Sequence, residues 1–550
     1  MANAQPTGSD RFVLQRRALD SIAQGALTNS KRPECFVKGV YPTHLKRGQG
    51  CWVWDHHGTR YLDFICGLGT NLLGYAHTQV NQAMMDQMAQ GASLSLSTHV
   101  EVEAAEMLKS MFPFVDCVKF LKTGSEACTS AIKIARAFQG VEYGDEELHE
   151  MWLGKAIRDR LSSEAELSRR TQARMQGLHQ GLSESAAYHG DQTTGSAQIL
   201  EESVGSHNRN ASRPEATRED QGSGAGQGVL RGPGRTEKWN ARKAAVRDLW
   251  RSQYPSASPR LFEAFGREMA LSHASRRGTP KWLVLSEGYH GHHAQFNSLT
   301  APACGVPIDW GMLDLKDNWD LIKIAAAVIV EPIITDASPE RIAWLHQLRE
   351  ECTKHGALLI FDEVITGFRF PKFSVSNYHG VTPDLICLGK AIANGMPLAA
   401  VGGKYAVMNG KEYFVSSSYA GETISLAAAK KTMELLLSNK ADLNLLWKKG
   451  EAFYDFFNSL YPEKIRLVGY PTRGRFAGDP KTIALFFQET CLAGMLFGPS
   501  WFLSFPAAEE LDNVRGAIRA IMGRISRGEV ELKGDMPTSP FAAKVRGANS

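Results

Sequence analysis

The sequence of 550 residues is short of three things that would narrow its function at once. Its nine cysteines form no C-x-x-C pair and keep no regular spacing. They read as reduced thiols of a cytosolic, cytoplasmic protein, not as a disulfide framework. Long apolar runs are also missing: the longest, around residues 325–330, is cut by Glu331, well short of a membrane helix. Charge of one sign is scarce. A formal +4 on so long a chain gives no reason to expect nucleic acid or a membrane as partner. The opening MANAQPTGSDRFVLQRRALD has no basic stretch followed by an apolar one, so no secretory signal is expected. What is present is an ordinary globular balance, 43% apolar and 22% charged, with room for two or more domains.

Taken in order, residues 1–45 read as helix and then irregular chain. CWVWDHHGTRYLDF, 51–64, reads as a hairpin turning at 55–58. The glycine-rich GLGTNLLG, 67–74, leads to a helix over 79–88, and another helix covers 101–111. Cys117–Leu121 is a short strand, followed by a Gly-Ser turn and a helix to about Phe138. Cys128, Ala131, Ile132 and Ala135 give that helix one apolar face. From about 141 to 280 the composition turns polar, with QGSGAGQGVLRGPG (221–234) as a flexible linker. Stripes at Leu153, Ile157 and Leu161, and at Phe262, Phe265 and Met269, are too few for a core. This stretch is expected to be an insertion, partly helical and largely disordered. Strand-like order returns at 281–285, Ala325–Val330, 357–361 and Leu385–Leu388, with a helix at Pro339–His355. Helices alternating with short apolar strands predict an α/β fold around a mostly parallel sheet. A smaller α+β part follows, ending in a helix over 508–525.

In such sheets ligands bind beyond the carboxyl ends of the strands. The 357–361 strand is expected to stop at Asp362, and Leu385–Leu388 ends at Gly389-Lys390. Ala325–Val330 ends at Glu331, and 281–285 runs into SEGYHGHH, which holds Tyr289. The helix start at Gly124-Ser125 belongs on the same side, where backbone N–H groups favour an anion. These types suit pyridoxal phosphate (PLP). A lysine amine forms a Schiff base with its aldehyde, and a carboxylate keeps its ring nitrogen protonated. An aromatic ring stacks on it, and a helix N-terminus takes its phosphate. Each residue alone also has an ordinary explanation, as a solvated lysine, a turn aspartate or an N-cap. His290, His292 and His293 have no carboxylate or cysteine beside them at a familiar ligand spacing, so no metal is expected.

Seven segments carry a family resemblance: VWDHHGTRYLDF (53–64), KTGSEACTSAIKIARA (122–137), EGYHGHH (287–293), EPI (331–333), FDEVITGFR (361–369), PDLICLGKAIANGMPLAAVGG (383–403) and SYAGETISLAAA (418–429). Together they resemble the class III PLP-dependent aminotransferases of fold type I, in the branch similar to glutamate-1-semialdehyde 2,1-aminomutase. The resemblance implies a large, mostly parallel sheet domain with helices on both faces, 66–410, interrupted by the 141–280 insertion. A smaller α+β domain would come from 1–65 and 411–550. It further implies pyridoxal 5'-phosphate as cofactor and a homodimer with a shared active site. Lys390 would form the internal aldimine and shuttle the proton. Asp362 would pair with the pyridinium nitrogen, Val364 would pack on the ring face opposite Tyr289, and Gly124 and Ser125 would bind the phosphate. Glu331 would line the site. Ser418 stands where such enzymes often have a threonine that reaches the phosphate from the partner subunit.

The chain departs from that branch at GPSWFLSFPAAEEL, 498–511, where a glutamate-bearing loop is shortened and Pro506-Ala507 replaces a histidine region. The expected activity is therefore transfer of an amino group from a small-molecule donor to a carbonyl acceptor. The alternative is the aminomutase reaction, in which both halves use one carbon skeleton. A catalytically silent PLP-fold binding or regulatory protein is a third reading, against which Lys390, Asp362 and Tyr289 argue.

Overall fold

The computed structural model describes residues 13–139, 282–285, 312–314, 319–333 and 336–538. Contacts between Cα atoms group 1–143 with 270–550 as one unit and 144–269 as another. The second unit lies outside the described residues, as do Tyr289, the three neighbouring histidines and the expected 141–280 insertion. Among the described residues, no helix is long and apolar enough to cross a membrane.

Near the N-terminus, α1 (Val13–Ser21) precedes a meander of β1 (Leu45–Gln49), β2 (Trp52–Asp55) and β3 (Arg60–Asp63). Asp55 closes the β2–β3 turn: its Oδ1 accepts the N–H groups of His57 at 3.0 Å and Thr59 at 2.9 Å. Helices α2 (Thr78–Met88) and α3 (His99–Met111) follow.

The central sheet has seven strands. They are β4 (Cys117–Leu121), β5 (Trp282–Leu285), β6 (Met312–Asp314), β7 (Ala325–Val330), β8 (Leu358–Glu363), β9 (Leu385–Leu388) and β10 (Ala399–Gly403). Their spatial order is β4-β10-β9-β8-β7-β5-β6. The pairings from β9 to β6 are parallel, while β10 runs antiparallel to both of its neighbours. Ala327, Ile329, Leu358 and Ile360 pack on one face, under α4 (Gly124–Phe138). Val328, Val330, Leu359 and Phe361 pack on the other, with Leu345 and Leu348 of α5 (Pro339–His355). Strands buried on both faces have no polar side, which is why they read as unbroken apolar runs.

The helices start where the local chemistry allows. Thr123 caps α4 through the Glu126 N–H, and the Glu126 carboxylate returns to the N–H groups of Lys122 and Thr123, both at 2.9 Å. Ser338 caps α5, Pro339 opens it, and Gly356 closes it at φ +70°. The remaining long helices are α6 (Thr423–Leu437), α7 (Leu443–Asn458), α8 (Pro480–Leu492) and α9 (Leu511–Ser526). They accompany a sheet of β11 (Ile465–Tyr470), β12 (Arg473–Gly478) and β14 (Ser500–Phe502), while β13 (Met495–Leu496) pairs with β3.

Four elements differ from expectation. Strand β8 does not stop at Asp362 but runs through Glu363, because Asp362 and Glu363 continue the ladder opposite Cys387 and Leu388. The fully buried Glu363 carboxylate is met by the N–H groups of Val375 and Ser376 and the hydroxyls of Ser376 and Thr366. The last expected helix is two, Phe505–Glu509 and α9, broken at Glu510. Strands β1 and β10 were not foreseen, since LKRGQ and AAVGG carry little β-branched or alternating signal.

Candidate active site

The ends of β7, β8 and β9 lie side by side as the topology requires. Lys390 follows β9 directly after Gly389 and opens the short turn Lys390–Ala393. Its φ is +42°, a conformation that costs a non-glycine residue about 1–3 kcal/mol. The side chain is largely buried. Burial lowers the proton affinity of the amine, Asp362 and Glu331 act in the opposite sense, and the balance stays below the ordinary lysine value. A neutral amine is what a nucleophile or base requires.

Asp362 lies on the adjacent strand β8, 3% exposed. Its Oδ1 accepts the Val364 N–H at 3.1 Å, and its Oδ2 accepts the Cys128 thiol at 3.2 Å. Two residues on, Val364 fills the space between two glycines. A Cβ on Gly124 would stand 2.7 Å from Val364 Cγ1, and one on Gly389 would stand 3.2 Å from it. The start of α4 and the turn before Lys390 thus close on one valine, and only a residue without Cβ lets the helix start approach so closely. Ser125, the next residue of that first turn, is buried.

Glu331 follows β7 and is 4% exposed. Arg473, at the start of β12, places Nη2 3.6 Å from Glu331 Oε1. Burial lowers the proton affinity of the guanidinium, against which Glu331 acts, and the charge of the pair reaches Lys390.

Two further ties hold the surroundings. Asn394, just past the lysine turn, accepts the Leu73 N–H at 2.8 Å and donates to the Gly74 carbonyl at 3.0 Å. It thereby clamps the glycine-rich segment, whose Cys66, Gly67, Leu68 and Gly69 all have φ between +56° and +87°. Lys122, just before α4, pairs with Glu422 at 2.9 Å. Glu422 in turn caps α6 through the N–H groups of Ile424 and Ser425.

The structure therefore places Lys390, Asp362, Val364, Gly124, Ser125 and Glu331 around one spot. Ser418 is exposed on the connection before α6, near Phe414 and Tyr419, which are 82% and 64% exposed. Tyr289 lies outside the described residues. Sequence reasoning missed Cys128 and Arg473. Cys128 was assigned to an apolar stripe, where a thiol looks like any small core residue. Arg473 lies far along the chain from Glu331, and nothing in its local sequence marks it. The residues fit pyridoxal phosphate: a largely buried amine whose proton affinity burial lowers, a buried carboxylate on the next strand, and a helix start that approaches through a glycine.

The family model for aminotransferase class-III matches residues 37–215 and 315–469. A glutamate-1-semialdehyde 2,1-aminomutase from Syntrophobacter fumaroxidans is 25% identical over 495 residues, covering 85% of this chain and 86% of its own. Among solved structures, the FumI protein of Sphingopyxis sp. MTA144, in its PLP internal aldimine form, aligns with a TM-score of 0.65 at 18% identity, over 96% of this chain and 99% of its own. An omega-transaminase from Sphaerobacter thermophilus aligns with a TM-score of 0.61 at 18% identity, over 94% and 98%. At that identity the likeness to the solved structures is one of fold.

Proposed function

The chain belongs to the class-III aminotransferases, and from that premise we propose that it is a pyridoxal-phosphate-dependent transaminase, moving an amino group from a small-molecule donor to a carbonyl acceptor. The observation that carries this reading is the Lys390 amine and the Asp362 carboxylate at the ends of adjacent buried strands, beside the glycine start of α4. When bound, the cofactor supplies an aldehyde that condenses with amines and a ring that accepts electrons from the bonds at the substrate α-carbon.

The protein groups do the rest. Gly124 and Ser125 hold the phosphate at the positive end of α4. Asp362 would keep the proton on the ring nitrogen and Val364 would back one face of the ring; Tyr289, outside the described residues, is expected from the sequence at the other. Lys390 Nζ would take the α-proton of the donor and later return a proton to the former carbonyl carbon of the acceptor. Glu331 lines the site. Ser418 of the partner subunit completes the phosphate site, so the working form is a homodimer. The cofactor-binding part spans 66–410, and 1–65 with 411–550 form the smaller part. A cytoplasmic location accords with the eight described cysteines, which are all free thiols.

Pro506 supports transfer between two molecules over the aminomutase reaction. It opens the short helix Phe505–Glu509 and packs where a Cβ on Gly74 would meet its ring at 2.6 Å, and Ala507 after it is fully buried. No ionisable side chain stands at either position to serve a second half-reaction. The test is an assay with an isotopically labelled amine donor. Release of the keto product, and dependence of turnover on a separate carbonyl acceptor, are expected. Conversion of one compound into its isomer without an acceptor would establish the aminomutase instead, the activity named for the Syntrophobacter relative.

A further inference from the structure

Two buried thiols stand against Asp362, and the proton transfers above use neither. Asp362 sits beside Cys387 in the β8–β9 register. Cys387 belongs to the face of the sheet covered by α4, in one core with Ile360, Val364 and Cys128. The Cys128 thiol donates to Asp362 Oδ2 at 3.2 Å, and Cys387 shares one buried core with Cys128. Cys128 is 1% exposed and Cys387 is fully buried, so water does not compete for these contacts. With the Val364 N–H on Oδ1 at 3.1 Å, each oxygen of the carboxylate has a donor from this chain.

We propose that Cys128 is a positioning residue for Asp362: its thiol fixes the plane of the carboxylate and so sets how tightly the protein holds the cofactor through the ring nitrogen. The inference rests on the assignment of Asp362 made above. A donor to a carboxylate favours its charged form, the form a pyridinium needs opposite it. A thiol is a weak donor, so it orients the oxygen while leaving most of its charge for the cofactor. The helix that presents the phosphate site is thereby tied by one side chain to the strand that presents the carboxylate.

The test measures cofactor affinity and a thiol vibration. Cys128→Val keeps bulk and removes the donor, and it is expected to raise the dissociation constant for pyridoxal phosphate about tenfold, the low end for a hydrogen bond to a charged group. Cys128→Ser restores a donor and is expected to recover affinity to within about threefold of wild type. Recovery by serine separates positioning from packing, since serine fills the core less well than valine. In the cofactor-free protein, an infrared difference spectrum between wild type and Asp362→Ala is expected to show a thiol S–H band at lowered frequency in wild type alone. That measurement needs no cysteine variant. If Asp362→Ala weakens cofactor binding while Cys128→Val does not, the inference fails and the role of Asp362 stands. An Asp362→Ala protein with wild-type affinity overturns both. A difference spectrum without such a band overturns the inference whatever the affinities.

Discussion

Lys390 carries two burdens at once: a left-handed backbone and an amine set among Asp362, Glu331 and Arg473. Burial holds its proton affinity below the usual 10.5. A lowered value means that the folded protein binds fewer protons than the unfolded chain between the two pKa values. The stability this group allows is complete above 10.5 and is lost as pH falls through the folded value. In the cofactor-free enzyme, Lys390→Met is therefore expected to be more stable than wild type at pH 7. The gap should close as pH rises toward that of free lysine. Denaturant titrations across pH check this, and a gap independent of pH would refute it. At this scale Lys390 and Asp362 were legible because each follows an apolar run. Cys128 and Arg473 were not, because their meaning lies in partners far along the chain: Cys128 is separated from Asp362 by 234 positions.

At the scale of elements, the period of the apolar pattern did most of the work. Strands β4, β7 and β9 and helix α5 were legible to the residue: both faces of β7 and β9 are buried, β4 is a half-buried run ending at a capped helix start, and α5 has a serine cap and a glycine stop. Strand β10 was illegible because two of its five residues are glycine, and pairing on both sides overrides its weak propensity. The cap of α6 shows how elements are tied near the site. Burial raises the proton affinity of the Glu422 carboxyl, but Ser425 and Lys122 outweigh it, and the balance lies below the usual 4.5. Its contribution is thus complete above 4.5 and is lost as pH falls through the folded value. Glu422→Ala is expected to cost about 1–2 kcal/mol through loss of the cap. Glu422→Gln should lose less at pH 7, and its deficit should vanish in acid. Thermal melts from neutral to acid pH check both, and a Glu422→Gln deficit that persists in acid would count against the bridge.

For the whole molecule, the α/β architecture was legible, and so was the family, because its motifs sit at strand ends that the sheet brings together. The dimer is the proposal this scale can test. Ser418 is exposed, with Phe414 and Tyr419 bare beside it. If the partner's Ser418 completes each site, a mixed dimer of a Lys390→Ala chain and a Ser418→Asp chain regains one intact site. Cofactor titration should then find about one strong site per mixed dimer and none in either parent. Absence of recovery in purified mixed dimers would mean that each chain builds its site alone. Strand β10 has a consequence in time. Its two ladders are the connection between β4, which leads into α4, and β9, which leads to Lys390. A ribosome adding about 5–20 residues per second needs on the order of tens of seconds to pass from Phe138 to Ala399. Throughout that interval β4 waits without its neighbour, and the apolar side of α4 has no sheet to cover. The nascent chain has no complete place to take up the cofactor before β10 is made, so loading follows synthesis of the sheet.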